Sequence, residues 1–192
     1  RNIINMSNTF DFLSTPLADL FEIQRKQLTD ERGFLSRLFC SNEFNEVGLK
    51  KPFVQVNHTK TNKKGTIRGM HFQLSPYVES KIITCIEGEV FDVAIDLRRN
   101  SKTYLHWHSA ILSASNLKGL YVPEGFAHGF QTLTDDCHLL YLHSEFYTPS
   151  QEGALNPLDS ILGIKWPCKI THISKRDASH PMIDKTYKGI IT

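Results

Sequence analysis

Long apolar runs are missing from this chain of 192 residues. None approaches the roughly 18 residues that a membrane-spanning helix needs. Arg1 to Thr9 also lack the hydrophobic core of a signal peptide, so a cytoplasmic protein is expected. An excess of one charge is missing too. The 22 Lys+Arg and 20 Asp+Glu leave a formal net charge of +2, which argues against nucleic-acid or membrane-surface binding driven by bulk charge. The four cysteines, Cys40, Cys85, Cys137 and Cys168, are widely spaced and form no CxxC pair. An even count alone does not make a disulfide framework in a chain of this size, and reduced, buried thiols are expected. There is no internal repeat, no low-complexity tract and no helical stretch long enough for a βαβ crossover, so a parallel α/β sheet is disfavoured.

What is present is a globular balance of 40% hydrophobic and 22% charged residues. A chain of this length buries about 70% of its unfolded surface. A single domain over residues 1–192 therefore needs neither disulfides nor metal to fold. The pattern predicts a strand within Leu20–Leu28, a turn at Asp30-Glu31-Arg32-Gly33, and a short helix over Ser41–Val47 capped by Ser41 or Asn42. Strands are then expected at Phe53–Asn57, Thr66–Gln73, Lys81–Ile86, Val90–Arg98, Trp107–Leu112, Leu120–Val122 and Leu139–Leu142, with Glu87-Gly88 as a turn. Short β-rich runs at this spacing indicate an all-β sandwich or barrel. The polar tail after Pro167 is expected to wrap the outside.

Two of the nine histidines stand out by context. In Thr66–Gln73, alternation puts Gly69, His71 and Gln73 on one face and Arg68, Met70 and Phe72 on the other. A bend at Gly69 would bring Arg68 to the His71 side. His128 lies in the turn-rich stretch Pro123–Phe130, where a packed, hydrogen-bonded histidine is the plain alternative to a functional one. Pro-x-Gly-x-x-His has the shape of the second cupin motif. A metal-binding cupin also needs His-x-His and Glu ligands in its first motif, and here that motif offers His71-Phe72-Gln73. Glu79 falls in a polar loop, and His106 and His108 read as surface histidines on an outward-facing strand. No metal or other cofactor is expected.

Several segments together carry a family resemblance: Asp30-Glu31-Arg32-Gly33-Phe34, Phe53-Val54-Gln55-Val56-Asn57, Lys64–Gln73, Val90–Arg98, Pro123–Phe130, Tyr141, Tyr147-Thr148-Pro149, Gly163–Pro167 and Ser174-Lys175-Arg176-Asp177. In this order and spacing, from about Leu20 to Met182, the chain resembles the dTDP-4-dehydrorhamnose 3,5-epimerase family of metal-free cupins. The resemblance implies a cupin jelly roll and cofactor-independent epimerisation of a nucleoside-diphosphate 4-keto-6-deoxyhexose. The leading substrate is dTDP-4-dehydro-6-deoxy-D-glucose, giving dTDP-4-dehydro-L-rhamnose. The C4 ketone acidifies the protons on C3 and C5, so such an enzyme needs a base, an enolate stabiliser and an acid on the opposite face.

By resemblance, His71 is the base, Asp177 the carboxylate that orients it, Tyr141 the acid, and Lys81 the cation near the C4 oxygen. Imidazole ordinarily titrates near pH 6.5, which suits proton abstraction at neutral pH. Taken singly, Tyr141 fits a barrel-core tyrosine, Lys81 a solvated strand end and Asp177 a turn or cap residue; the joint match is what assigns them. Arg68 and His128 match residues lining the sugar and phosphate site, with Asp92 beside them tuning Lys81. Arg32, Gln55, Asn57, Tyr147, Glu152 and Arg176 complete the implied substrate-binding set. The resemblance also implies a homodimer in which an N-terminal strand crosses to the partner, with Arg32 serving the neighbouring site.

Four positions depart from the family pattern: Leu28, Arg37, Val56 and the Pro157-Leu158-Asp159 segment. Arg37 stands where a carboxylate is usual, reversing charge and hydrogen-bond polarity. If that position touches the base, a nucleobase other than thymine is implied. The alternatives are an epimerase acting at C3 only or on a CDP- or GDP-linked sugar, a metal-dependent cupin, and a non-catalytic sugar-binding cupin.

Overall fold

Short β-branched and aromatic runs punctuated by turn residues build a chain made almost wholly of strands. The computed structural model describes residues 3–7, 9–49 and 51–192, and it bears out the all-β expectation. The first strands are β1 (Ile3–Met6), β2 (Phe10–Ser14), β3 (Phe21–Arg25), β4 (Gln27–Asp30) and β5 (Gly33–Ser36), followed by the short helix α1 (Ser41–Asn45). Then come β6 (Gln55–Thr61), β7 (Thr66–Gln73), β8 (Lys81–Glu87), β9 (Glu89–Asp96) and β10 (Trp107–Ser113). The last are β11 (Lys118–Val122), β12 (Phe126–Thr132), β13 (Cys137–His143), β14 (Glu152–Ala154), β15 (His172–Ile173) and the helix α2 (Lys175–Ala178).

One sheet runs in the order β1-β2-β3-β11-β8-β13-β6, and a second in the order β10-β9-β12-β7-β14, with β15 added parallel to β7. They enclose a core in which Ile83, Cys85 and Leu139 of the first meet Val90, Ala94 and Phe130 of the second. The outer faces are covered as well. Phe10, Phe12, Phe21 and Ile82 pack with Phe44 of α1. Met70, Phe72, Val93 and Ile95 pack beneath Leu155, Leu162 and Ile183 from the C-terminal third. Burial on both faces explains why β8 reads as a continuous Ile-Ile-Thr-Cys run rather than an alternating one, up to the exposed Ile86.

The strand at Thr66–Gln73 has the predicted bounds. Elsewhere the structure differs. The Leu20–Leu28 stretch is split between β3 and β4, and β4 pairs with β5 as a hairpin outside both large sheets. The first sheet is extended by β1 and β2, which lack a clear alternation. The strand expected from Phe53 starts at Gln55. Helix α1 is capped by the backbone of Cys40 with no side-chain bond, so Ser41 and Asn42 lie inside it. The stretch expected to be turn-rich around His128 is the fully buried β12. All four cysteines are free, but only Cys85 and Cys137 are buried; Cys40 and Cys168 are partly exposed.

Strands β7 and β12 approach each other closely where their register shifts between His128 and Phe130. A Cβ on Gly69 would fall 2.6 Å from Gly129 Cα, and one on Gly129 would fall 2.7 Å from Arg68 O. Gly69 also has φ +137°, a conformation that side-chain-bearing residues rarely adopt. The close approach lets β7 bend, so that Arg68 and His71 line the same cavity despite their opposite places in the alternation.

Candidate active site

Toward one end of the space between the sheets the apolar core gives way to polar side chains around a cavity of about 420 Å³. Alternation supplies them. Inward positions of β13 run Leu139, Tyr141, His143; those of β8 run Cys85, Ile83, Lys81; those of β12 and β9 add His128 and Asp92. His71 enters from β7, whose Met70 and Phe72 pack on the other face. The base and acid implied by the resemblance therefore come from different sheets and line one cavity.

His71 Nε2 lies 2.8 Å from Asp177 Oδ1, and Gly69 N–H donates to Asp177 Oδ2 at 3.3 Å. Burial alone would raise the Asp177 carboxyl. The bond and charge of His71, the Gly69 N–H and nearby His180 outweigh it and hold the group below the usual carboxylate range. Asp177 sits in α2, where Ser174 Oγ accepts its N–H at 3.0 Å. Tyr141 is 9% exposed. Burial and then the charge of Asp92 push its phenol far above the ordinary value, so it is held as a proton carrier. The His128 ring meets Tyr141 edge-on at 5.8 Å, and the His143 ring stacks on Tyr141 at 6.1 Å.

Asp92 is fully buried and outside the cavity lining. Its oxygens receive His128 Nε2 at 2.9 and 3.0 Å. Burial pushes its carboxyl up, against the pull first of His128 and then of Lys81. Asp92, expected among the substrate-binding residues and tuning Lys81, stands behind the cavity lining with His128 as its direct partner and interacts with Lys81 through charge. The carboxylate on Lys81 is Glu79, at 3.0 Å. Lys81 Nζ also donates to the His71 carbonyl at 3.4 Å. Burial would raise Glu79, but Lys81 and His143 hold it below its ordinary value.

The mouth is built differently. Tyr147 and Arg176 share Glu152: the phenol donates to Glu152 Oε2 at 2.9 Å, and the guanidinium pairs with the same oxygen. Asn57 and Arg68 line the cavity, and Arg68 Nε donates to Thr61 Oγ1 at 3.0 Å. Gln55 stands just behind, accepting from Tyr147 N–H at 3.2 Å. Arg32 is not brought to this chain's own cavity. It projects from the tip of the β4–β5 hairpin, 84% exposed and paired with Asp30. Arg37 is also outside the cavity, where Glu43 of α1 answers its charge at 3.0 Å.

Sequence reasoning set Glu79 aside as a polar-loop residue and passed over His143 and His180. His143 follows Tyr141 by two residues on the same strand face, so the alternation that exposed His71 also signals it. His180 lies three residues after Asp177, about one helical turn. Its Nε2 is buried without a hydrogen-bond partner among the described residues, 3.7 Å from Asp177 Oδ1. His71, Asp177 and His180 thus bring three donor atoms within 4.8 Å of one another, an arrangement that could hold a metal ion. His108, expected at the surface, is mostly buried and bonds the fully buried Glu22 at 3.0 Å. The C-terminal tail does more than wrap the outside, because β15 and α2 carry Asp177 into the site.

Residues 14–185 match the family model described as dTDP-4-dehydrorhamnose 3,5-epimerase. The dTDP-4-dehydrorhamnose 3,5-epimerase of Salmonella typhimurium is 41% identical over 175 residues, covering 90% of this chain and 95% of its own length. The crystal structure of dTDP-4-dehydrorhamnose 3,5-epimerase from Elizabethkingia anophelis superposes with a TM-score of 0.88 at 35% identity, covering 94% of this chain and all of that one. The Legionella pneumophila dTDP-6-deoxy-D-glucose-3,5-epimerase, solved in complex with dTDP-4-keto-L-rhamnose, gives a TM-score of 0.88 at 34% identity. It covers 95% of this chain and 99% of its own.

Proposed function

The chain belongs to the dTDP-4-dehydrorhamnose 3,5-epimerase family of isomerases, and on that premise we propose how its cavity converts dTDP-4-dehydro-6-deoxy-D-glucose to dTDP-4-dehydro-L-rhamnose. The observation that carries the assignment of roles is the His71–Asp177 pair facing the same cavity as Tyr141 and Lys81. With Nε2–H donated to Asp177, His71 keeps the Nδ1 lone pair for a substrate proton. Removal of the C3 proton sends the C–H electron pair into the C4 carbonyl, and the Lys81 ammonium stabilises the enolate oxygen. The Tyr141 hydroxyl returns a proton to the opposite face, which inverts the carbon. The same sequence at C5 completes the epimerisation, and exchange with solvent resets both groups. Asp177 stabilises the imidazolium and fixes the ring.

At the mouth, Tyr147 stacks on the base, while Asn57, Gln55, Glu152 and Arg176 hold the nucleotide and Arg68 and His128 the sugar and phosphates. We further propose a homodimer. The β4–β5 hairpin stands apart from both large sheets and exposes Leu28, Phe34 and Leu35 at 64%, 63% and 70%. A second copy covering it would gain that apolar surface and receive Arg32 at its nucleotide site. The nucleotide-sugar substrate and four free thiols fit a cytoplasmic enzyme.

Solvent deuterium tests the reading. In D2O the wild-type chain is expected to label both C3 and C5 of the sugar. Label at C3 alone would assign a 3-epimerase, and no label from any dTDP-4-keto sugar would leave a binding protein.

A further inference from the structure

A line of hydrogen bonds runs from the mouth to the inner end. Tyr147 N–H donates to Gln55 Oε1 at 3.2 Å, and Gln55 Nε2 donates to Asn57 Oδ1 at 3.3 Å. These bonds fix both amide orientations, so Asn57 presents its Nδ2–H to His143 Nε2 at 3.3 Å. A neutral His143 then carries its proton on Nδ1, which faces Glu79 Oε2 at 2.8 Å. The other Glu79 oxygen takes Lys81 Nζ at 3.0 Å. Every donor finds an acceptor: the bonds from Tyr147 to His143 point toward Glu79, and Lys81 donates to Glu79 from the other side. His143, Glu79 and Lys81 are 13%, 10% and 8% exposed, so water competes little for the bonds among these three, while the bonds from Tyr147 to His143 are open to solvent.

We propose that His143 and Glu79 are positioning residues that couple the nucleotide end of the cavity to the placement of the Lys81 ammonium at the sugar C4 oxygen. The inference rests on the roles given above for Lys81 and for the nucleotide-binding residues. Glu79 holds the ammonium through one oxygen. His143 holds Glu79 through the other and is itself held by Asn57. A nucleotide that orders Tyr147, Gln55 and Asn57 thereby orders the cation where charge develops. Binding energy from the remote end then acts on the reacting centre.

The test uses the full chain with dTDP-4-dehydro-6-deoxy-D-glucose, reading kcat, KM, deuterium wash-in and thermal melting. His143→Phe keeps a ring against Tyr141 and cuts both bonds. Its kcat and wash-in should fall about tenfold or more, since small misplacements of catalytic groups are costly, with KM within about threefold of wild type. His143→Gln can accept from Asn57 and donate to Glu79, and should restore most of kcat. Should His143→Phe not fold, Glu79→Gln keeps the volume and removes the charge on Lys81, with the same tenfold loss expected. Gln55→Ala combined with His143→Phe should lose no more kcat than the worse single variant, because both cut one chain. Wild-type kcat in His143→Phe or Glu79→Gln, an effect confined to KM, a His143→Gln as impaired as His143→Phe, or full additivity of the pair would overturn the coupling alone. A wild-type chain that turns over no dTDP-4-keto sugar would instead remove the epimerase reading and the coupling with it.

Discussion

The two ends of the cavity are held by different means. At the inner end the partners meet on separate carboxylate oxygens or whole carboxylates: Asp177 bonds His71, Asp92 bonds His128, and Glu79 gives one oxygen to Lys81 and the other to His143. Most of these groups stand on strands at the centre of the sheets. At the mouth, Tyr147 and Arg176 are more than half exposed and share a single carboxylate, Glu152. Proton transfer needs reacting atoms fixed to fractions of an ångström, which central strands provide. Stacking and ion pairing with a nucleotide tolerate looser supports. The departures from the family pattern follow this division. Leu28, Val56 and Leu158 are exposed at 64%, 64% and 48%, and Arg37 is half-exposed and paired within the chain. Sequence has drifted at the periphery and not among the groups assigned to the chemistry.

Substitutions at the inner end should act on rate, and those at the mouth that leave the Gln55–Asn57 line intact should act on affinity. The largest effect is expected from His71→Asn, which removes the proposed base; deuterium wash-in at both carbons should fall by about 10²–10⁴. Wash-in at the wild-type rate would assign the base elsewhere. Tyr141→Phe comes next. It removes the acid but leaves His71 and Lys81, so the enolate still forms and is reprotonated from the His71 face or by solvent. Product formation, followed by NMR, should fall about 100-fold, and wash-in by less. Equal losses of both would place Tyr141 in enolate formation.

Asp177→Asn keeps the base but loosens it, and a smaller loss of roughly 10–100-fold is expected. It also has a signature in stability. The folded chain holds the Asp177 carboxyl below its ordinary value. The group therefore stabilises the fold above the unfolded value of about 3.9, and that contribution is lost as pH falls through the folded value. The gap between the melting curves of wild type and Asp177→Asn should start to narrow as pH falls below about 4 and close only under the folded value; a gap that stays constant from about pH 5 down to about pH 2 would show that the charge is not what the fold uses. The smallest effect on rate belongs to the mouth. Tyr147→Ala should weaken dTDP binding by about 1–3 kcal/mol, the range for base–aromatic stacking; because it keeps the backbone N–H that binds Gln55, it should leave kcat nearly intact at saturating substrate. Calorimetry showing unchanged affinity would remove Tyr147 from the nucleotide site.

How much of this was legible depended on distance along the chain. Strand β7 was readable because its alternation is local, and the bend at Gly69 could be inferred from one glycine. Tyr141 and Lys81 on strands β13 and β8 were readable as positions, but their chemistry came only through resemblance. The place of Asp177 had no local signal. It depends on the parallel pairing of His172 with Thr66 across more than a hundred residues, and a polar tail gives no period from which to read that. Glu79 was hidden for another reason: it precedes β8 in an irregular stretch, where no alternation says which way a side chain points. The β4–β5 hairpin was readable only as its Asp-Glu-Arg-Gly turn, because Leu28, Phe34 and Leu35 stay exposed and the hairpin joins neither large sheet, which leaves no buried face to set a pattern.

The contact between Gly69 and Gly129 sets a limit for anyone reshaping this protein. Lining residues such as Tyr147 or Arg176 can be randomised in a library, because a misfit there meets solvent. Positions 69 and 129 cannot, since even one added carbon meets backbone on the opposite strand. The shortest diversity to screen for an altered sugar or base preference therefore spares the seam between β7 and β12 and spends its codons on the rim.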